Sequence, residues 1–304
     1  MPPIRIGTRG SKLALAQAHE VRDRLAAAHG LEAADFEIVV ITTTGDRVHD
    51  RPLAEIGGKG LFTKEIEEAL VAARIDMAVH SMKDMPAELP AGLGIACLLP
   101  REDPRDAFLS PVASDLAGLA PGARIGSSSV RRAAQARRLR PDLYVVPFRG
   151  NVDTRLAKLA AGEVAATFLA CAGLNRLGLA DRITSPVPVD VMLPAVAQGA
   201  VGIEIRDHDE RTAGLIAAIN DEATAITVAA ERAFLAALGG SCRTPLAGHA
   251  VLAEGRVKFR GQALSLDGRQ VFETAREGAA GDAAALGHDA GREVKAAAGP
   301  ALFM

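Results

Sequence analysis

What most constrains this chain is a junction that recurs along it. Short runs of apolar and β-branched residues break into turns rich in Gly, Ser, Lys or Arg, and helix-patterned stretches follow. Five strand-to-helix junctions of this kind place Arg9 and Ser11; Ser81 and Lys83; Ser127, Ser129, Arg131 and Arg132; Arg149 with Arg155; and Arg176 where a strand ends. Strands alternating with helices predict α/β units whose parallel strands are joined by crossovers. In such open sheets a ligand sits beyond the carboxyl ends of the strands, where helix N-termini offer free N–H groups and positive potential. Arginine forks in those positions bind carboxylates or phosphates at two points, so five such junctions imply a ligand with several anionic groups.

At 304 residues the chain is long for one core and suggests two or three domains. The pattern predicts a strand at Ile4-Arg5-Ile6-Gly7, a helix over 13–29 and a strand over 36–42. A polar stretch over 43–60 has little periodicity and is read as a mobile lid or binding loop. It ends at Gly57-Gly58-Lys59-Gly60, which is no P-loop, because Leu53 stands where the earlier glycine belongs and Gly60 follows the lysine. A helix over 61–74, strands over 76–79 and 93–99, and a charged, Pro-bounded crossover over 101–106 complete the first unit.

The second unit alternates strands over 124–126, 143–148 and 165–170 with helices over 130–139 and 152–161. Pro186, Pro188 and Pro194 mark its exit toward a strand over 201–205. A helix over 222–238 leads to Gly239-Gly240-Ser241-Cys242-Arg243-Thr244-Pro245. Beyond it, turns at Glu254-Gly255 and Asp267-Gly268 and a closing helix over 282–298 predict a small α+β domain with a three-stranded antiparallel sheet.

Composition narrows the function classes. A net charge of −2 and 3% aromatic residues argue against nucleic acid or an acidic membrane as partner, despite the Arg131-Arg132 and Arg137-Arg138 pairs. The three cysteines, 97, 171 and 242, have neither metal-ligand spacing nor the even count of a disulfide framework, and no metal is expected. Cys97 and Cys171 lie in apolar runs and read as buried and inert. With no signal peptide and no apolar run of membrane-spanning length, the expected compartment is the reducing cytoplasm.

Two residues stand out chemically. Cys242 lies between a Gly pair and Pro245, beside Arg243, which favours the nucleophilic thiolate; an incidental loop cysteine is the plain alternative. Asp84 is the one acid among the junction cations, suited to general acid–base work or to steadying a positive charge. Its alternatives are an ion pair with Lys83 or a turn cap, and His80 reads as a structural histidine.

With these residues in view, the chain resembles the porphobilinogen deaminase (hydroxymethylbilane synthase) family over nearly its whole length. The segments that carry the resemblance include Gly57-Gly58-Lys59-Gly60-Leu61-Phe62, Ala78-Val79-His80-Ser81-Met82-Lys83-Asp84, Gly126-Ser127-Ser128-Ser129-Val130-Arg131-Arg132, Arg149-Gly150-Asn151-Val152, Leu193-Pro194-Ala195-Val196-Ala197-Gln198-Gly199-Ala200 and the Cys242 loop. The resemblance implies two doubly wound domains like those of periplasmic binding proteins, expected at 1–99 with 200–217 and at 105–194, and a third at 222–304. It implies a transferase of tetrapyrrole biosynthesis that joins four porphobilinogen molecules head to tail, with loss of ammonia, on a dipyrromethane cofactor. That cofactor is tied by a thioether to Cys242, and water releases hydroxymethylbilane.

By the matched positions, Asp84 is the catalytic carboxylate, and Lys83, Ser127, Ser129, Arg131 and Arg132 contact the cofactor. Arg9, Ser11, Gln17, Lys59, Phe62, Ser81, Arg149, Arg155, Arg176 and Gln198 contact substrate or growing chain. Glu55 stands where familiar members carry a lysine, and Ser127 where a threonine is common. A monomer is expected. The competing readings are a two-lobed solute-binding module for an anionic ligand and an effector-binding regulator; the absent leader, the C-terminal domain and the loop thiol count against the first, and the N-terminal strand against the second.

Overall fold

The computed structural model describes residues 3–47, 60–240, 244–299 and 302, and the chain divides into two compact units. One comprises Met1–Glu102 with Ala200–Ala225, the other Asp103–Gly199 with Ile226–Met304.

The first unit is built on a five-stranded sheet of β1 (Ile4–Thr8), β2 (Phe36–Val40), β3 (Met77–Ser81), β4 (Leu93–Leu98) and β10 (Val201–Arg206), in the order β2-β1-β3-β10-β4. β1 runs parallel to β2 and β3, while β10 inserts antiparallel between β3 and β4. Met77–His80 are all buried, as befits a strand covered on both faces. Helix Lys12–His29 sets Val21 and Leu25 against Ile6, Met77, Val79 and Ile203, and ends on Gly30 in the left-handed region, at φ 63°. The helix expected over 61–74 is shorter, Lys64–Val71, and buries Ile66, Ala69 and Leu70. A turn over 60–63 precedes it, and Ala73, at φ 51°, breaks it off. Arg206 Nη1 donates to the carbonyls of Leu70 and Ile75 at 2.9 Å each, placing a cation at the helix C-terminus, where the dipole favours one.

The second unit repeats the layout. β5 (Asp106–Leu109), β6 (Arg124–Gly126), β7 (Tyr144–Val146), β8 (Ala166–Ala170) and β9 (Ser185–Pro186) form a sheet in the order β7-β6-β8-β5-β9. β6 is parallel to β7 and β8, and β5 returns antiparallel to β8. The register puts Phe108 opposite Phe168, their rings edge to face at 5.7 Å in the core. Two doubly wound sheets of like order are thus present, as the alternating pattern predicts. The sequence reading leaves out β5 and β9 and the helix Glu210–Ala217. β5 escapes notice because its first residue, Asp106, reads as the last of a charged connection.

β11 (Leu246–Ala253), β12 (Arg256–Leu264) and β13 (Val271–Ala279) form the expected three-stranded antiparallel sheet, against which helix Ala283–Ala298 packs. Glu254 and Gly255, at φ 52° and 71°, make the tight hairpin that the Glu-Gly pair predicts. Phe234, from helix Glu222–Ala237, meets Phe259 with centroids 5.1 Å apart, and Gly261 leaves the room for it: a Cβ there would lie 2.7 Å from the Phe234 ring. That helix ends in a Schellman cap, Gly240 N–H donating to Leu235 O and Gly239 N–H to Ala236 O, with both glycines left-handed.

Candidate functional site

In the first unit the junctions gather at the end of β3 and β1. β3 stops at Ser81 and the chain makes a single 3-10 turn, Met82–Asp84. Met82 and Met85 are buried on either side, and Met82 N donates to Ala200 O at 3.0 Å, so the turn is pinned at both ends while Lys83 and Asp84 face outward. Asp84 is exposed, and its carboxylate makes no ion pair or hydrogen bond among the described residues. Neither a Lys83 bridge nor a turn cap accounts for it. Ser81 Oγ sits 2.8 Å from Gln17 Nε2, which is buried on helix Lys12–His29 and so ties that helix to the same strand end.

Ser11 caps that helix, its Oγ accepting from Ala14 N at 3.2 Å. Arg9 does not stand as a free cation. Its guanidinium forms an ion pair with Asp46 and lies 4.2 Å above the centre of the Phe62 ring. Burial pushes the Asp46 carboxyl up, yet Arg9 and Thr43 together hold it below the usual range. Asp46 escaped the sequence reading because it falls in the aperiodic loop, where nothing in the spacing marks it as the partner of Arg9. Lys59, Glu55 and Cys242, with Arg243 beside it, lie outside the described residues.

In the second unit the cations crowd one sheet edge. Ser129 caps helix Val130–Leu139, accepting from Arg132 N, and Ser127 Oγ accepts from Ser129 N at 3.2 Å. The helix therefore starts where Arg131 and Arg132 turn inward onto β5. Asp106 is fully buried there. Arg131 Nη1 reaches its Oδ2 at 2.7 Å, Arg132 Nη2 its Oδ1 at 2.7 Å, and Gln198 Nε2 its Oδ1 at 3.0 Å. Burial opposes ionisation of Asp106, but the two arginines hold it far below the ordinary carboxylate range. Arg131 also donates to Leu193 O and Arg132 to Phe168 O, so each guanidinium is locked in place.

Two arginines facing one carboxylate leave an excess positive charge, and more lie close by. Arg155, whose Nε donates to Gly150 O, has its pKa pushed down to about 10, first by burial and then by the fields of Arg132 and Arg149. Those three residues are a cation cluster under mutual repulsion, a place where a polyanion gains most. Arg176, at the end of helix Cys171–Arg176, donates to Gly199 O at 3.0 Å, next to Gln198. Cys97 and Cys171 are buried, and burial pushes both thiols up to about 12, which suits inert core residues.

Asp106 is the site residue that sequence reasoning missed. Its signal was an acid directly before the apolar run Ala107-Phe108-Leu109, while two adjacent arginines opened a helix elsewhere.

The chain was compared with known proteins. Residues 4–214 match the family model described as porphobilinogen deaminase, dipyromethane cofactor binding domain, and residues 225–296 match porphobilinogen deaminase, C-terminal domain. A porphobilinogen deaminase of Paracoccus denitrificans is 60% identical over 301 residues, covering 99% of this chain and 96% of that one. One from Nitrobacter hamburgensis is 57% identical over 298 residues, covering 98% and 94%. Among solved structures, a periplasmic substrate-binding protein of an ABC transporter from Coxiella burnetii aligns with a TM-score of 0.43 at 14% identity, over 75% of this chain and 96% of that one. Two doubly wound sheets lined with arginines, matched along almost every residue to named relatives, lead to one conclusion: this chain belongs to the porphobilinogen deaminase family.

Proposed function

We propose that the chain condenses four porphobilinogen molecules head to tail, releasing ammonia at each addition and finally hydroxymethylbilane, with Asp84 as its acid–base residue and Cys242 as the anchor of a dipyrromethane cofactor. The observation that carries this reading is the Arg132, Arg149 and Arg155 cluster, where burial first and then the fields of the other two arginines lower Arg155 to about 10. Porphobilinogen carries two carboxylates per ring, so a primer of two rings already brings four. A donor set of guanidinium groups and serine hydroxyls fits such a group, and a metal has no place in it. When bound, the cofactor would supply the free pyrrole carbon at which the first of the four rings is joined.

The chain's own residues do the rest. Arg132, Arg149, Arg155 and Arg176 bind carboxylates of cofactor, substrate or growing chain, with Ser127, Ser129 and Lys83 adding donors. Arg131 and Gln198 act beside them, held on Asp106 so that their remaining N–H groups keep a fixed direction. Gln17 and Ser81 orient substrate at the β3 edge, with Arg9, Ser11 and Phe62 on the same side, and Lys59 is a further substrate contact. An Asp84 Oδ atom holds a proton for the departing amine or accepts one from a ring nitrogen, and as a carboxylate it steadies positive charge. Its lack of a partner among the described residues supports that role, since a paired carboxylate would have to give up its partner first.

The division into domains at 1–99 with 200–217, 105–194 and 222–304, a monomeric state, a cytoplasmic location and the absence of nucleic-acid and membrane partners complete the proposal. Among the described residues no single helix is long and apolar enough to cross a membrane.

Intact mass and peptide mapping of the purified protein test the anchor. An added mass of two linked pyrrole units on the Cys242 peptide is expected, and Cys242→Ser should abolish it. Thioether-linked pyrroles on the serine variant, or an unmodified wild type after incubation with porphobilinogen, would refute the assignment.

A further inference from the structure

Under the Asp84 turn lies a group of buried ionisable side chains that the proposed chemistry does not use. His80, on β3, is 6% exposed, and its Nε2 lies 3.0 Å from Oε2 of Glu204, a fully buried residue of β10. Oε1 of Glu204 has no hydrogen-bond partner among the described residues. Glu67 is 8% exposed on helix Lys64–Val71, which packs on the same two strands, and its Oε1 also lacks a partner among the described residues. The Thr63 hydroxyl, buried one residue before that helix, lies near the Glu67 carboxyl but outside hydrogen-bond geometry.

A buried polar oxygen without a donor is rare in folded proteins and calls for an explanation. A buried Glu67 carboxylate is also difficult to ionise, because its charge would be unsolvated and repelled by Glu204. One proton resolves both problems: it removes a charge and supplies a donor to the cluster. The groups facing Glu67 are Glu204 from β10, His80 from β3 and Thr63 at the helix start. Burial pushes the Glu67 carboxyl up, Thr63 pulls it back, Glu204 raises it again and His80 opposes.

The position of the cluster gives it a task. β10 pairs Val201 with Ser81 and Gly202 with His80, and Met82 N bonds to Ala200 O, so the β3–β10 register sets where the Met82–Asp84 turn begins. We propose that Glu67 keeps a proton at neutral pH beside Glu204, with His80 anchoring Glu204, and that this network positions the turn carrying Asp84. The positioning role rests on the function proposed for Asp84; the proton on Glu67 does not. Loss of that proton to solvent puts a second charge beside Glu204, which forces the helix away from β10 or draws water between them.

The test uses Glu67→Gln in the full-length holoenzyme, with Glu68→Gln, an exposed neighbour on the same helix, as control. A carboxyl raised in the folded state stabilises fully below the ordinary glutamate value of 4.5, and that contribution is lost as pH rises through its folded value. The Gln variant lacks this loss. Its melting temperature relative to wild type should therefore climb between about pH 4.5 and pH 8, by about 2 °C or more, while the control stays parallel to wild type. The infrared spectrum of wild type at pH 7 should show a protonated-carboxyl band that the Gln variant lacks. A pH-independent difference, or no such band, overturns the proton on Glu67, and the infrared reading stands even if the variant folds poorly. Positioning further requires the alkaline fall of kcat to move to higher pH in the variant without a matching change in KM. An unshifted kcat profile alongside intact linkage overturns the positioning role. Both stability and infrared readings are made without substrate, so they are independent of whether Asp84 is the acid–base residue.

Discussion

Asp84 and Arg155 show how differently two proposed site residues sit in the molecule. Asp84 is exposed and without a partner among the described residues, so Asp84→Asn removes little that holds the fold. We expect kcat to fall by about 10²-fold or more, the loss typical of a positioned proton-transfer group, with the cofactor retained and the melting temperature within about 2 °C of wild type. Near-normal turnover would sink the role. Arg155 has its pKa lowered to about 10 by burial first and then by Arg132 and Arg149, so its charge is a strain that the proposed anionic ligand would relieve. Arg155→Leu should raise KM by about 10-fold, the loss of one charge-assisted contact, yet leave cofactor-free protein at least as resistant to heat. A clear drop in that resistance would show that Arg155 braces the fold instead.

At the scale of elements, the Asp106 end of β5 holds the arginine-rich edge of the second sheet together. One buried carboxylate receives two arginines of the next helix and Gln198 from the chain leaving the sheet. Asp106→Asn leaves two buried guanidinium groups short of a counter-charge, and unfolding free energy should fall by about 3–5 kcal/mol. Because Asp106 is held below its ordinary value of 3.8, its contribution is present above that value and is lost only as pH falls through the depressed folded one. The gap between wild type and variant in urea midpoints should thus be constant from pH 7 to about 4 and close in stronger acid. A gap that closes already near pH 6 would contradict this account. These elements also show what spacing conveys. The helix at Val130–Leu139 and the hairpin at Glu254-Gly255 stand where apolar period and turn chemistry predict them. β5 was not legible, because four residues carry too little period and its acid is buried by arginines that a strand pattern does not reveal.

For the molecule as a whole, alternation of strands and helices, the Gly-rich turns and the cationic junctions were enough to predict two doubly wound sheets, a small antiparallel sheet and an anion-binding edge. Local chemistry fixes each of these: period decides which faces are apolar, and turn residues decide where the chain reverses. Which charges remain available was settled only in three dimensions. Arg9 reads like any other junction cation, yet Asp46 takes it up; Arg131 and Arg132 look alike with Arg155, yet only the first two converge on Asp106. His80 does prove to be a satisfied histidine, but its partner lies 124 residues away on a strand that returns antiparallel. Pairing of this kind depends on which strands are neighbours and in what register, and on the burial that makes an unpaired charge costly. Sequence alone therefore determined the elements and the kind of ligand, while the tertiary structure decided which ionisable groups brace the fold and which stay open, because a charge is assigned by the neighbours that exclude water from it.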